Sequence, residues 1–196
     1  MEEHAMENIR IRTACEADVP AMLGIYAPYV RETAISFEYD VPSEEEFAGR
    51  LRRTLTFYPW LAAEKNGRIL GYAYASPFHP RKAYQWCAEA SIYVAQDECG
   101  HGLGARLYDA LEHVLKRQNM LVLYACIASP PQEDEHLTCA SLRFHARMGF
   151  RKVGEFPRCG YKFGRWYDMV WMEKRLAEPA SPLLPVIPFP EAERNL

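Results

Sequence analysis

Residues 96–104 read QDECGHGLG, between the apolar run 90–94, ASIYV, and the amphipathic run 105–115, ARLYDALEHVL. A glycine-rich turn from a strand into a helix exposes unpaired main-chain amides at the positive end of the helix dipole. Proteins use such turns to hold phosphates. Residues 100–105, GHGLGA, satisfy the dinucleotide pattern G-x-G-x-x-A, which also requires an acidic residue ending the next strand to hold a ribose. The next strand ends in residues 126–130, CIASP, without a carboxylate. A Walker A loop needs Gly-Lys-Ser/Thr, which is absent. A turn that merely lets strand and helix pack closely is the plain alternative.

On both sides of the turn the periodicity is legible. Residues 9–14, IRIRTA, alternate as a strand, and Asp18 and Pro20 open a helical run through Met22, Leu23, Ile25, Tyr26 and Val30. Ser43 with Glu46 three residues later forms a capping box that starts a helix to about Leu55. Residues 60–64 and 68–75 flank Lys65-Asn66-Gly67, a hairpin signal. A third strand is expected from Ala83 to Val94, a helix from Leu103 to Gln118, and a strand from Leu121 to Ala128. Residues 129–136 form a polar loop, Thr138 to Met148 a short helix ended by Gly149, and 151–160 and 166–174 two last strands. This order predicts a mixed α/β sheet with helices on its faces, spanning residues 9–176 after an extension at 1–8. Three antiparallel-type strands ahead of the turn also disfavour a Rossmann domain. The last twenty residues, 177–196, hold five prolines and predict an extended tail packed on the domain or on a partner.

Composition narrows the function. With 196 residues, 49% hydrophobic and 25% charged, the chain suits one globular domain. A net charge of −3 without a basic run speaks against nucleic-acid or membrane-surface binding, and no apolar stretch has the length of a membrane span. The first residues, MEEHAMENIRIR, lack the apolar core of a signal peptide. The six cysteines are scattered without a CxxC pair, which suits reduced thiols in a cytoplasm and gives no metal-ligand spacing.

The turn, Cys99 to Gly104, resembles the acetyl-CoA loop of the GNAT acetyltransferase family, Arg/Gln-x-x-Gly-x-Gly/Ala, and the element order matches that family's mostly antiparallel twisted sheet. The chain is closer still to the phosphinothricin acetyltransferase branch. The blocks that carry this likeness are 58–61 YPWL, 71–78 GYAYASPF, 81–86 RKAYQW, 89–94 EASIYV, 145–150 HARMGF and 160–168 GYKFGRWYD, in that order. The resemblance implies an enzyme that moves the acetyl group of acetyl-CoA to the amine of a small amino-acid-like acceptor. Phosphinothricin, methionine sulfoximine and methionine sulfone are the expected types, and the enzyme is expected to be a cytoplasmic homodimer.

The same resemblance assigns the residues. Glu89 matches the general base, with its pKa expected to rise by desolvation between Trp86 and Tyr93. His145 or Tyr93 would protonate the leaving thiolate, although a packed, hydrogen-bonded histidine is an equal alternative. Acetyl-CoA would lie on the main chain of Ile92, Tyr93 and Val94 and on the turn Cys99, Gly100, His101, Gly102, Leu103, Gly104 and Ala105, with Thr138 and Ser141 beside its arm. Arg81 and Tyr84 would grip the acceptor's anionic groups, with Phe37 and Tyr74 lining its pocket.

Three positions depart from the branch. Cys99 and His101 stand where arginine is usual, and Arg106 one turn later is a substitute within reach of the phosphates. Thr138 stands where the family has asparagine, and as a helix cap it has a plain role. The loop 129–136, SPPQEDEH, is acidic and favours a cationic acceptor over an anionic one. A polyamine, aminoglycoside or protein N-terminus is therefore the alternative acceptor, and a catalytically weak acyl-CoA sensor the alternative class. Leu183, Leu184, Val186, Ile187 and Phe189 in the tail form an apolar strip for a dimer partner.

Overall fold

The structure, a computed structural model, describes residues 8–194, so the expected extension at 1–8 lies almost wholly outside the described residues. Among the described residues seven strands form one sheet: β1 (Arg10–Thr13), β2 (Trp60–Lys65), β3 (Arg68–Pro77), β4 (Cys87–Val94), β5 (Val122–Ser129), β6 (Arg151–Lys162) and β7 (Arg165–Arg175). Their order is β1-β2-β3-β4-β5-β7-β6, and only the central β4–β5 pair is parallel. That parallel step needs a crossover, which α3 (Leu103–Arg117) supplies. The remaining helices are α1 (Val19–Glu32), α2 (Glu44–Leu55), α4 (Ala140–Arg147) and α5 (Phe189–Arg194).

Period-two alternation divides the core between the two faces. Ala88, Ala90, Ile92 and Val94 of β4 pack with Leu103, Leu107, Leu111 and Leu115 of α3. Tyr93, together with Trp60 and Tyr72, packs with Met22, Tyr26 and Val30 of α1 and Phe47 and Leu51 of α2. Glu89 and Ser91 share the Tyr93 side by the same alternation. The Asn66-Gly67 hairpin turns with φ of 51° and 79°, as a type I′ turn requires.

The structure departs from the expected elements in four places. The third strand begins at Cys87 rather than Ala83, because Lys82–Tyr84 makes a 3-10 turn. Only half of the capping box forms: Ser43 Oγ accepts from Glu46 N at 3.1 Å, while the Glu46 carboxylate turns to Arg50. The short helix starts at Ala140, whose amide is met by Thr138 Oγ1 at 3.3 Å.

The tail is extended only to Pro188 and then forms α5, folded back on its own chain. Trp86 Nε1 donates to Leu184 O at 2.8 Å, Asn119 Nδ2 to Pro185 O at 2.8 Å, and Phe189 N to Phe57 O at 2.9 Å. Phe189 is buried there, so much of the apolar strip is used within the chain, while Leu183 and Leu184 stay exposed.

Candidate active site

β4 and β5 pair only from Cys87↔Val122 to Glu89↔Tyr124, and beyond Glu89 the two strands part. On its other side β4 stays paired with β3 to the Gly71↔Val94 rung. Ala95 N bonds Leu70 O and Trp86 O accepts from Leu121 N, which fixes the alternation. The main chain of Glu89, Ser91 and Tyr93 turns to β3, and that of Ala90, Ile92 and Val94 turns into the opening. Of the three residues expected to offer main-chain groups to a cofactor arm, Tyr93 is therefore committed to the ladder. Ile92 and Val94 face the opening, and the Val94 carbonyl is taken by Tyr29 Oη at 2.6 Å. The opening becomes a cleft lined by Ala90, Ser91, Ile92 and Tyr93 on one wall, Ala125 to Ala128 on the other, and Tyr108, Ser141, His145 and Ile35 around them.

The glycine turn lies beyond the end of β4. Gly100 and Gly102 have φ of 84° and 82°, and Gly102 is the N-cap of α3. Among the described residues no side chain caps the helix, so the first amides of α3, at Leu103, Gly104 and Ala105, are left for an anionic group. Cys99, Gly100, His101 and Gly102 are all exposed there.

Glu89 sits at the last paired rung before the strands part. Among the described residues its carboxylate makes no hydrogen bond or ion pair, and burial raises its pKa above the ordinary carboxylate value. Its charge is felt by Tyr74 and Cys126. Trp86, expected beside it, turns instead to the tail. Tyr74 stacks on Trp60 with ring centres 4.0 Å apart. Phe37 packs with Ala34, Ala128, Leu137 and Tyr167 at the outer end of β5. Arg81 and Tyr84 lie exposed on the β3–β4 connection; the Tyr84 ring meets Phe78 and His79, and the Arg81 side chain makes no hydrogen bond or ion pair among the described residues.

His145 and Tyr93 are both held by packing. The His145 ring is 4% exposed. Its Nδ1 lies 2.8 Å from Ser141 O, which only accepts, so Nδ1 carries the proton and Nε2 accepts from Tyr108 Oη at 2.8 Å. Burial pulls the imidazole pKa from 6.5 down to about 4, so the ring is neutral near pH 7. The Tyr93 ring packs edge-on against Tyr26 and Tyr29, and burial pushes its phenol well above the ordinary value. Tyr108 and Tyr29 escaped the sequence reading, because a tyrosine on the apolar face of a helix reads as core.

Comparison with known proteins gives this geometry its family. The profile of the acetyltransferase (GNAT) domain matches residues 11–171. A phosphinothricin N-acetyltransferase of Alcaligenes faecalis is 36% identical over 173 residues, 85% of this chain and 82% of that protein. The chain belongs to the GNAT acetyltransferase family. An L-methionine sulfoximine/L-methionine sulfone acetyltransferase of Pseudomonas aeruginosa is 36% identical over 168 residues, 85% of this chain and 94% of that protein. In three dimensions the chain superposes on a phosphinothricin acetyltransferase from Sinorhizobium meliloti, solved with acetyl-CoA, at a TM-score of 0.80. That match has 28% identity and covers 93% of this chain and 98% of the other.

The departures from the GNAT pattern have local explanations. The Cys99 thiol lies 3.6 Å from Ala95 O and 3.9 Å from Tyr29 Oη, packing where the resemblance implies an arginine. Arg106 does not turn toward the loop as expected; its Nη2 donates to Ile9 O at 2.9 Å. The carboxylates of the acidic loop are paired with other groups of the chain. Glu133 accepts from Cys139 N at 2.7 Å and pairs with Arg143. Asp134 accepts from the amides of His136 and Leu137, and Glu135 accepts both arms of Arg165 at 2.9 Å.

Proposed function

We propose that the chain moves the acetyl group of acetyl-CoA directly to the α-amine of a small amino-acid-like acceptor of the phosphinothricin, methionine sulfoximine or methionine sulfone type, with Glu89 as general base. The Glu89 carboxylate carries this reading. It is desolvated, without a partner among the described residues, and placed where β4 and β5 part. A carboxylate in that setting is a better base near neutral pH than an exposed one. Relatives named for these substrates support the acceptor class.

The residues divide the work as follows. The amides of Gly100 to Ala105 and the dipole of α3 receive the pyrophosphate, which needs no side-chain cation. Ile92 and Val94 turn main-chain groups to the pantetheine arm, and Ser141 borders it, with Thr138 just before the helix that carries Ser141. The Val94 amide is the donor aimed at the thioester oxygen. Arg81 and Tyr84 hold the acceptor carboxylate, an arginine fork being suited to two parallel hydrogen bonds. Phe37 and Tyr74 border the acceptor side chain.

Glu89 removes a proton from the acceptor ammonium through a water, and the freed amine attacks the thioester carbon. The departing thiolate needs a proton. The phenols of Tyr93 and Tyr108 are pushed up and the imidazole of His145 is pushed down, so none of them gives up a proton readily near pH 7. We assign that proton to the acceptor nitrogen by way of Glu89, and make Tyr93 and His145 walls of the cleft.

Assembly follows the sheet edge rather than the tail. β6 is an edge strand with Val153 and Phe156 exposed, beside a groove of Phe78, Tyr124 and Trp171. A homodimer that covers this edge removes an exposed apolar strip, and light scattering that gave a monomer at micromolar concentration would remove it. Free thiols at Cys15, Cys99 and Cys159, all exposed, suit a reducing cytoplasm.

The test of function follows free thiol released from acetyl-CoA in the presence of phosphinothricin, methionine sulfoximine and methionine sulfone, against polyamine and aminoglycoside controls. Release that depends on an amino-acid acceptor supports the reading. Release only with the controls replaces the acceptor class, and acetyl-CoA binding without any release favours an acyl-CoA sensor.

A further inference from the structure

Lys162, near the end of β6, is 3% exposed. An ammonium has three donors, and here all three are used on main-chain carbonyls: Val30 O at 2.8 Å, Thr33 O at 2.9 Å and Ser36 O at 2.6 Å. Val30 belongs to the last turn of α1, where carbonyls lack helical partners and the helix dipole is negative. Burial draws the lysine pKa below its ordinary value, and the Glu38 carboxylate opposes that. Glu38 is itself paired with Arg50 at 2.6 Å.

An apolar residue of the same length would fill this space without desolvating a charge. A helix end alone is commonly closed by glycine. Lys162 reaches farther than the helix end: it grips the chain that follows, through Ser36, and so fixes the backbone next to Phe37. The neighbouring residues of β6 hold the same segment. Gly160 is on the same face as Lys162, and a Cβ there would stand 2.0 Å from Phe37 Cε2, so the ring lies directly on the strand. Tyr39 Oη donates to Tyr161 O. Ala34 N bonds His136 O at 3.0 Å, which ties the segment to the 129–136 loop as well. The segment in turn supplies Ile35 to the cleft and Phe37 to the cluster with Ala128 at the end of β5.

We infer that Lys162, with Gly160 beside it, is a positioning residue for acceptor recognition: it fixes the 33–37 segment from β6, so that Ile35 and Phe37 form a rigid wall that sets how large an acceptor side chain fits. This rests on the acceptor site proposed above and deepens it. Lys162 touches neither substrate; it acts through Phe37.

The test compares Lys162→Met, which keeps the length and loses the donors, with Gly160→Ala, which keeps the lysine and displaces the ring. Both are made in wild-type and Phe37→Ala backgrounds. With methionine sulfone as acceptor, each single variant raises the acceptor KM about tenfold and leaves the acetyl-CoA KM within about twofold, and in the Phe37→Ala background most of that effect disappears. Hydrogen exchange of the amides of residues 33–37 accelerates in Lys162→Met, while the α3 amides keep their protection. An unchanged acceptor KM alongside a lowered Tm overturns the inference, as does the same KM increase in both backgrounds. If Lys162→Met does not fold, Gly160→Ala and Lys162→Gln carry the cycle. If wild type turns over no amino-acid acceptor, the proposed function fails on its own, and the exchange measurement still decides whether Lys162 holds the segment.

Discussion

Lowering the pH from about 7 to about 5 should weaken the fold through His145, and His145→Gln should remove that part of the loss. The imidazole is buried and neutral, with its Nδ1 proton on Ser141 O and its Nε2 accepting from Tyr108. Its pKa in the folded chain is about 4, against 6.5 when free of the fold. A base whose folded pKa is depressed takes its proton preferentially in the unfolded chain. Its contribution to stability is therefore intact above about pH 6.5 and is lost as pH falls toward about 4. With those two values the unfolded state gains about 2 kcal/mol on the folded state between about pH 7 and pH 5. For a chain of this size that is a Tm change of about 4–8 °C.

Glutamine keeps an acceptor toward Tyr108 and has no proton to take up. Urea unfolding of both proteins at the two pH values isolates the effect, because every other titrating group is shared. The variant, although weaker near pH 7 for want of the Ser141 bond, should lose about 2 kcal/mol less on acidification. Equal losses in the two proteins would refute the neutral, buried imidazole and restore His145 as a proton donor.

Arg81→Ala should raise the acceptor KM about tenfold to a hundredfold and leave that of acetyl-CoA unchanged, since a charged bidentate contact is lost; steady-state kinetics with both substrates varied will show it. Gly102→Ala places a β-carbon on a residue with φ of 82° and should raise the acetyl-CoA KM about tenfold with little effect on the acceptor. Because Glu133 and Glu135 are paired internally, the Glu133→Gln and Glu135→Gln variants should keep the ratio of kcat/KM for anionic over cationic acceptors within about twofold. A larger change would return the acidic loop to a part in acceptor choice.

Much of this fold was legible because period and punctuation agree along the chain. Asn66-Gly67 fixes a hairpin, Leu103 to Leu115 repeats at helical spacing, and the glycine turn separates the parallel pair. Local pattern failed where a distant group decides the outcome. Residues 83–86 have strand composition, yet Trp86 is claimed by Leu184 O from the tail, and the chain before it turns instead of extending. The tail reads as extended from its prolines, but burial of Phe189 against the domain stabilises a final helix that composition alone does not favour.

At the candidate site, residue types were readable and directions were not. Glu89, Ile92 and Val94 sit as their strand phase implies, whereas the commitment of the Tyr93 main chain to β3 depends on a ladder register that no sequence period specifies. The charges of the 129–136 loop are visible in sequence, but their partners Arg143 and Arg165 lie 10 and 30 residues away and meet them only in the fold. No local sequence period marks Lys162 for burial; the carbonyls of Val30, Thr33 and Ser36, at and beyond the α1 end, explain it.

The central claim, that Glu89 is the base for acetyl transfer to a small amino-acid amine, is tested most directly by the pH dependence of kcat/KM for wild type and Glu89→Gln with phosphinothricin. Wild type should show a rising limb whose midpoint lies above the ordinary carboxylate value of 4.5, because burial raises the Glu89 pKa. Glu89→Gln should retain acetyl-CoA binding, lose about a hundredfold to ten-thousandfold in kcat, and lose that limb. A variant that keeps both the rate and the limb would contradict the account and move the base elsewhere in the cleft.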